Sequence, residues 1–150
     1  MKKIKIVNKS DNPNPSYETE NSAGMDLRAN GNYIIKGVGV NSTRIDSITV
    51  NTGIYISLPK GYEAQIRSRS GLSAKNKVFV LNSPGTIDAD YRGEIKIILS
   101  NLATEQFEIK HGDRIAQMII APYERIGWKD VNSLDKTKRG SDGLGSTGKR

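Results

Sequence analysis

Between Asn82 and Gly93 the chain reads Asn-Ser-Pro-Gly-Thr-Ile-Asp-Ala-Asp-Tyr-Arg-Gly. Two carboxylates, Asp88 and Asp90, an aromatic ring, Tyr91, and a guanidinium, Arg92, fall within five residues. That is more chemistry than a turn requires, although an ordinary polar hairpin is the competing reading. An aspartate is ordinarily ionised at neutral pH and can accept a proton from water. With one histidine and no cysteine in the chain, neither a Ser-His-Asp nor a Cys-His relay can be assembled. An aspartate that activates water against a phosphorus centre is the simplest chemistry the inventory allows. Without His or Cys clusters, any metal would be a hard, oxygen-bound ion such as Mg²⁺.

Other stretches could meet an anion. Arg67-Ser68-Arg69-Ser70-Gly71-Leu72-Ser73 joins arginine forks to the start of the only helical candidate, with Ser70 as its N-cap. It reads equally as a phosphate-binding segment or a solvated basic turn. Gln117 is a polar residue inside an apolar run, so its amide either hydrogen-bonds within the core or faces a site. His111 lies in a turn without a partner motif and reads as surface. Gly143 to Gly148 spells G-x-G-x-x-G, but no strand precedes it and no helix follows, so neither a dinucleotide fold nor a P-loop is implied. Its glycines, with Ser146, Thr147 and Arg139, could converge donors on an anion. Taken alone, the segment reads more readily as a solvated tail.

The elements that must carry these residues are short strands. Val78-Phe79-Val80-Leu81 and Ile95-Lys96-Ile97-Ile98-Leu99 flank the central stretch and are rich in β-branched residues, so the stretch reads as a loop or long hairpin on rigid strands. Ile4 to Val7, Tyr33 to Ile35, Ser47 to Asn51, Gly53 to Leu58, Tyr62 to Ile66 and Gln106 to Lys110 read as further strands between Gly, Pro and Asn turns. Arg114 to Ala121 also fits a helix face through Ile115, Met118 and Ile119, but its length and flanking turns favour a strand. Many short strands and almost no helix imply an all-β sandwich or barrel with one short helix. Apolar periodicity ends near Arg125, which divides the chain into a β domain, residues 1–124, and a flexible glycine-rich arm, residues 125–150.

Composition narrows the classes. The formal charge of +7 suits polyanionic partners, yet no basic helix or aromatic stripe supports nucleic-acid binding. No apolar run reaches the ~18 residues of a membrane span, and the basic start lacks the apolar core of a secretory signal. The absence of cysteine is compatible with a reducing compartment. A soluble cytoplasmic protein is the expectation.

Five segments, in order, resemble the trimeric dUTPases: Ala23 to Ala29, Arg69 to Leu72, Asn82 to Gly93, Gly112 to Gln117, and Arg139 to Gly148. Any one is a weak signal; together they are specific. The resemblance implies a jelly-roll fold, a homotrimer with active sites shared between subunits, and hydrolysis of dUTP to dUMP and pyrophosphate with Mg²⁺. By position, Asp88 resembles the water-activating base and Tyr91 the ring under the deoxyribose that leaves no room for a 2′-hydroxyl. Asn82 and the backbone at Thr86 and Ile87 resemble the uracil readers. Arg69, Ser70 and Gly71 resemble the phosphate-binding segment, Gln117 a phosphate or metal-water contact, and Asp26 a carboxylate in the metal's water shell. The arm would close over the nucleotide, with Arg139, Ser146 and Thr147 at the phosphates and Gly145 among the substrate-binding residues. Leu144 stands where the family usually has an aromatic that stacks on uracil; leucine can cover the base but cannot stack. Asp142 near phosphates would be mildly unfavourable unless it points away, and Ser68 in place of a frequent proline is harmless. The related dCTP deaminases share the fold and are the second reading; a non-enzymatic regulatory module is the third.

Overall fold

The computed structural model describes residues 3–39 and 45–143. In chain order the elements are β1 (Lys5–Asn8), β2 (Met25–Arg28), β3 (Tyr33–Ile35), β4 (Ser47–Asn51), β5 (Ile54–Ser57) and β6 (Tyr62–Arg67). There follow α1 (Ser70–Asn76), β7 (Val78–Val80), β8 (Gly85–Ile87), β9 (Lys96–Asn101), β10 (Phe107–Ile109) and β11 (Arg114–Pro122). All strand pairs are antiparallel and form sheets in the orders β2-β11-β6-β8, β4-β9-β7, β1-β5 and β3-β10. One apolar core joins them, with Leu27, Ile35, Ile95, Ile97, Leu99 and Ile109 among its fully covered side chains. Alternation builds it: Ile54 and Ile56 of β5 and Ala64 and Ile66 of β6 point inward, while the residues between them are half-buried. Among the described residues no helix is long and apolar enough to cross a membrane.

Three local expectations sharpen. The segment from Arg114 is a strand, and a bulge between Arg114 and Ala116 places Ile115 and Ala116 both inside. An extra residue in one strand is what gave the sequence its helix-like spacing. Ser70 is not the N-cap of α1: that position belongs to Arg69, which is extended (φ −86°, ψ 127°) and makes no side-chain cap bond. The helix therefore starts one residue earlier than the sequence reading placed it, and the extended Arg69 just before it turns its side chain to Asp26. The stretch from Asn82 is also more than a hairpin between β7 and β9. Those two strands pair with each other, whereas the residues between them leave that sheet, and β8 joins the edge of the other one beside β6. The Ser83–Pro84 peptide bond at this departure is cis.

Two buried polar residues fix the loops. The Asn101 amide, fully covered, donates to Glu105 O at 2.8 Å and accepts from Ala103 N at 2.8 Å, closing the turn after β9. Thr52, 1% exposed, donates from Oγ1 to Ile95 O at 2.6 Å. Buried polar groups satisfied in this way specify one loop conformation.

Candidate active site

The segment after β8 carries the reactive side chains on a short turn. Tyr91 N donates to Asp88 O at 3.2 Å, and the Arg92 guanidinium donates to Ala89 O and Tyr91 O, both at 2.7 Å. Arg92 is thereby used to close the turn from outside. The Asp88 carboxylate is exposed and takes part in none of the ion pairs among the described residues. The Tyr91 ring is 43% exposed, and its hydroxyl donates to Glu94 O at 3.0 Å. Beyond it, Ile95 is fully buried and its N–H donates to Ile54 O at 2.8 Å, so the far end of the turn is anchored in the core. A cleft of about 770 Å³ opens beside this turn, lined by Asp88, Asp90, Arg92, Glu63, Lys60 and Arg125.

Asn82, Thr86 and Ile87 lie along β8 and its approach. Gly85 is buried beneath the Asn82 amide: a Cβ there would stand 3.0 Å from Asn82 Nδ2 and 3.5 Å from Ile66 Cβ. The absent side chain lets the Asn82 amide settle against the strand. Gly85, Thr86 and Ile87 pair with Ile66, Gln65 and Ala64 of β6, which makes β8 a rigid edge able to present fixed donors and acceptors.

The second group of predicted residues gathers at the other end of β6. In register across three strands stand Asp26 of β2, Gln117 of β11 and Arg67 of β6. Asp26, 16% exposed, accepts from Arg69 Nε at 2.9 Å on one oxygen and faces Arg114 at 3.3 Å on the other. Arg69 also donates to Arg114 O at 3.1 Å, and Arg114 approaches Glu18 at 3.6 Å. The Gln117 amide donates to Ser68 O at 2.9 Å, so one of its two N–H groups braces the loop that carries Arg69. Ser68 in turn accepts from Val80 N at 2.9 Å through its hydroxyl. Ser70 and Gly71 head α1 with both residues exposed.

Within one chain the two groups are set along the same strand, and their loops touch where Ser68 N donates to Ser83 Oγ at 3.4 Å. Ile87 lies opposite Ala64 while Gln117 lies opposite Arg67, three strand positions or about 10 Å apart along β6. Arg139 reaches neither group: it donates to Asp142 O at 2.9 Å within a local turn. Every described residue from Pro122 onward is exposed, Trp128 at 90%. Leu144, Gly145, Ser146 and Thr147 lie outside the described residues.

Sequence reasoning passed over Arg114, Gly24 and Glu94. A Cβ on Gly24 would stand 2.6 Å from Gln117 Oε1, so the glycine leaves room for the amide in this orientation. Arg114 lay inside a quoted motif but showed no spacing that joins it to Asp26, because the link is made across the β2–β11 pairing. Among the described residues no three His, Cys, Asp or Glu side chains form a metal cage. Asp26 fits Mg²⁺ only through water: both oxygens already face guanidinium groups, yet a carboxylate oxygen keeps lone pairs for a further donor.

Comparison with known proteins places this geometry. The dUTPase family model matches residues 10–148. The deoxyuridine 5′-triphosphate nucleotidohydrolases of Ehrlichia canis and Rickettsia felis are 55% and 56% identical to the chain, covering 97% of it in each case and 94% and 95% of their own lengths. Among solved structures, a mutant dUTPase of Staphylococcus bacteriophage 80alpha with dUpNHpp matches with a TM-score of 0.86 at 22% identity, over 99% of both chains. A mutant dUTPase from phage phi11 of S. aureus, described with a structural Mg(II) ion, matches at 0.77 and 20% identity over 90% of this chain and 100% of that one. These likenesses establish the fold as the jelly roll of those proteins. The chain belongs to the dUTPase family.

Proposed function

We propose that this enzyme hydrolyses dUTP to dUMP and pyrophosphate, with Asp88 as the base. The observation that supports the mechanism is the turn itself: Asp88, in no ion pair among the described residues, and the exposed Tyr91 lie three residues apart on a segment anchored in the core. Asp88 takes a proton from a water whose oxygen forms the new bond to the α-phosphorus. The bond from that phosphorus to the α,β-bridging oxygen breaks, and pyrophosphate leaves with the electron pair. Tyr91 packs against the deoxyribose and excludes a 2′-hydroxyl. Asn82 and the β8 backbone at Thr86 and Ile87 read uracil, rejecting cytosine because a reversed donor pattern would leave buried groups unpaired.

Arg69, Ser70, Gly71 and Gln117 receive the phosphates. Two guanidinium groups beside Asp26 offset its charge, so this end can accept a polyanion. Mg²⁺, arriving with the triphosphate, would neutralise phosphate charge, with Asp26 accepting from its water. A homotrimer with sites completed by residues of different copies is the assembly that the family resemblance implies. The arm, residues 125–150, whose described part up to residue 143 is exposed, then covers the nucleotide of a neighbouring subunit. Arg139, Ser146 and Thr147 would lie at the phosphates, with Gly145 among the substrate-binding residues and Leu144 over the base. Ordering such an arm costs conformational entropy that the phosphate contacts must offset, which gates turnover on a complete substrate.

Pyrophosphate release across dUTP, UTP, dCTP and dTTP tests this reading. Preference for dUTP supports the base pocket, and rejection of UTP supports Tyr91. Ammonia release from dCTP without pyrophosphate would overturn the hydrolase in favour of the deaminase, which the family match does not favour.

A further inference from the structure

Tyr91 can discriminate sugars only if its ring cannot yield. A missing methylene or a small shift in a packed pocket is worth little selectivity, so a gate against one hydroxyl needs a rigid seat. Two neighbours supply that seat. Gly93 lies directly under the ring: a Cβ at that position would stand 2.2 Å from the Tyr91 hydroxyl and 2.4 Å from Cζ, distances no side chain can occupy. The hydroxyl itself donates to the main-chain oxygen of Glu94 at 3.0 Å.

The Glu94 side chain explains why that oxygen stays in place. Its Oε1 accepts from Thr52 N at 3.1 Å and from Gly53 N at 2.8 Å, across the turn between β4 and β5. The next residue is held to the same turn by Thr52 Oγ1, which donates to Ile95 O at 2.6 Å. Gly53 is itself confined: its φ is +70°, and a Cβ there would lie 2.8 Å from the Ser10 Cβ. One carboxylate therefore ties the ring's acceptor to a turn that is closely packed and hydrogen-bonded. No substrate needs to touch Glu94 for this to matter.

We infer that Glu94 is a positioning residue for sugar selection: by gripping the Thr52–Gly53 turn it holds the Tyr91 ring over Gly93, so that discrimination between deoxyribose and ribose depends on a side chain outside the substrate pocket. This inference rests on the reading of Tyr91 as the sugar gate.

The test compares Glu94→Ala, Glu94→Gln and Gly93→Ala in the full-length enzyme, with kcat and KM measured for dUTP, UTP and dCTP. Glu94→Ala is expected to lower the dUTP-to-UTP ratio of kcat/KM by about ten-fold, chiefly through a relative gain for UTP. The dUTP-to-dCTP ratio, set by β8, should stay within about two-fold. Glu94→Gln keeps an oxygen acceptor for the two N–H groups and should restore most of the sugar ratio. Gly93→Ala, which pushes the ring without touching the carboxylate, should reproduce the loss even if Glu94→Ala folds poorly. Parallel decline for all substrates would overturn the proposal, as would full sugar selectivity in both Glu94→Ala and Gly93→Ala. Tyr91→Ala separates the failures. If it abolishes sugar selectivity while Glu94→Ala and Gly93→Ala do not, the gate stands and the positioning role falls. If Tyr91→Ala leaves the ratio unchanged, the gate reading falls, and the positioning role with it.

Discussion

Asp88 and Asp26 are both aspartates of the proposed site, yet their surroundings differ in kind. Asp88 is exposed on a turn whose one arginine, Arg92, is committed to main-chain oxygens rather than to the carboxylate. Asp26 is largely covered and faces two arginines. A carboxylate that must take a proton is best left without a cation, because a paired guanidinium stabilises the charged form and weakens the base. A carboxylate that must sit near a polyanion is best neutralised. Under the proposed roles, one residue type would serve opposite purposes at the two ends of β6, the difference being made by where arginines point.

The sharpest way to break this comparison is Asp88→Asn. Turnover should fall by about 10³-fold, within the range for losing a general base, while binding of a non-hydrolysable dUTP analogue by calorimetry changes little. Retained turnover would show that the unpaired carboxylate is not the base. Next in size is Arg69→Ala, which removes the proposed phosphate fork and leaves Asp26 with only Arg114. The KM for dUTP is expected to rise by roughly 10²-fold, and Arg69→Lys should recover only part of it because a lysine cannot reproduce the planar fork. Asp26→Asn is smaller, about ten-fold in kcat/KM, and its meaning lies in additivity. If Asp26 acts by orienting Arg69, it should cost little more in an Arg69→Ala background. If it also receives metal-bound water, the two losses add and the Mg²⁺ concentration for half-maximal rate rises.

Much of this was legible in the chain because the signals are local. The alternation in β5 and β6, the Pro and Gly turns, and the crowding of Asp88, Asp90, Tyr91 and Arg92 are all read within a few residues. What was not legible depends on register. Nothing in the spacing of Asp26, Arg69 and Arg114 says that they meet; that follows from β2, β6 and β11 lying side by side. The same is true of β8, whose three residues carry no pattern strong enough to show that they cross to the other sheet. The bulge near Ile115 misled the periodicity for a related reason, since an irregularity in pairing shifts which face each residue takes.

The smallest expected effect probes whether the Asp26 end is held as tightly as the Asp88 end. Gly24→Ala adds one methyl group 2.6 Å from Gln117 Oε1, and the obstacle is the tip of a flexible side chain, so the strand can keep its place while the amide swings. Stability should therefore fall by no more than about 1 kcal/mol. The amide, however, is what holds Ser68 O and with it the loop leading to Arg69. A swung Gln117 should raise the KM for dUTP about three-fold with kcat within about two-fold, the pattern of lost binding rather than lost chemistry. Gln117→Ala should match it. If Gly24→Ala instead lowers kcat and leaves KM alone, the Asp26 end takes part in the chemical step, and the division of labour between the two aspartates is less clean than their surroundings suggest.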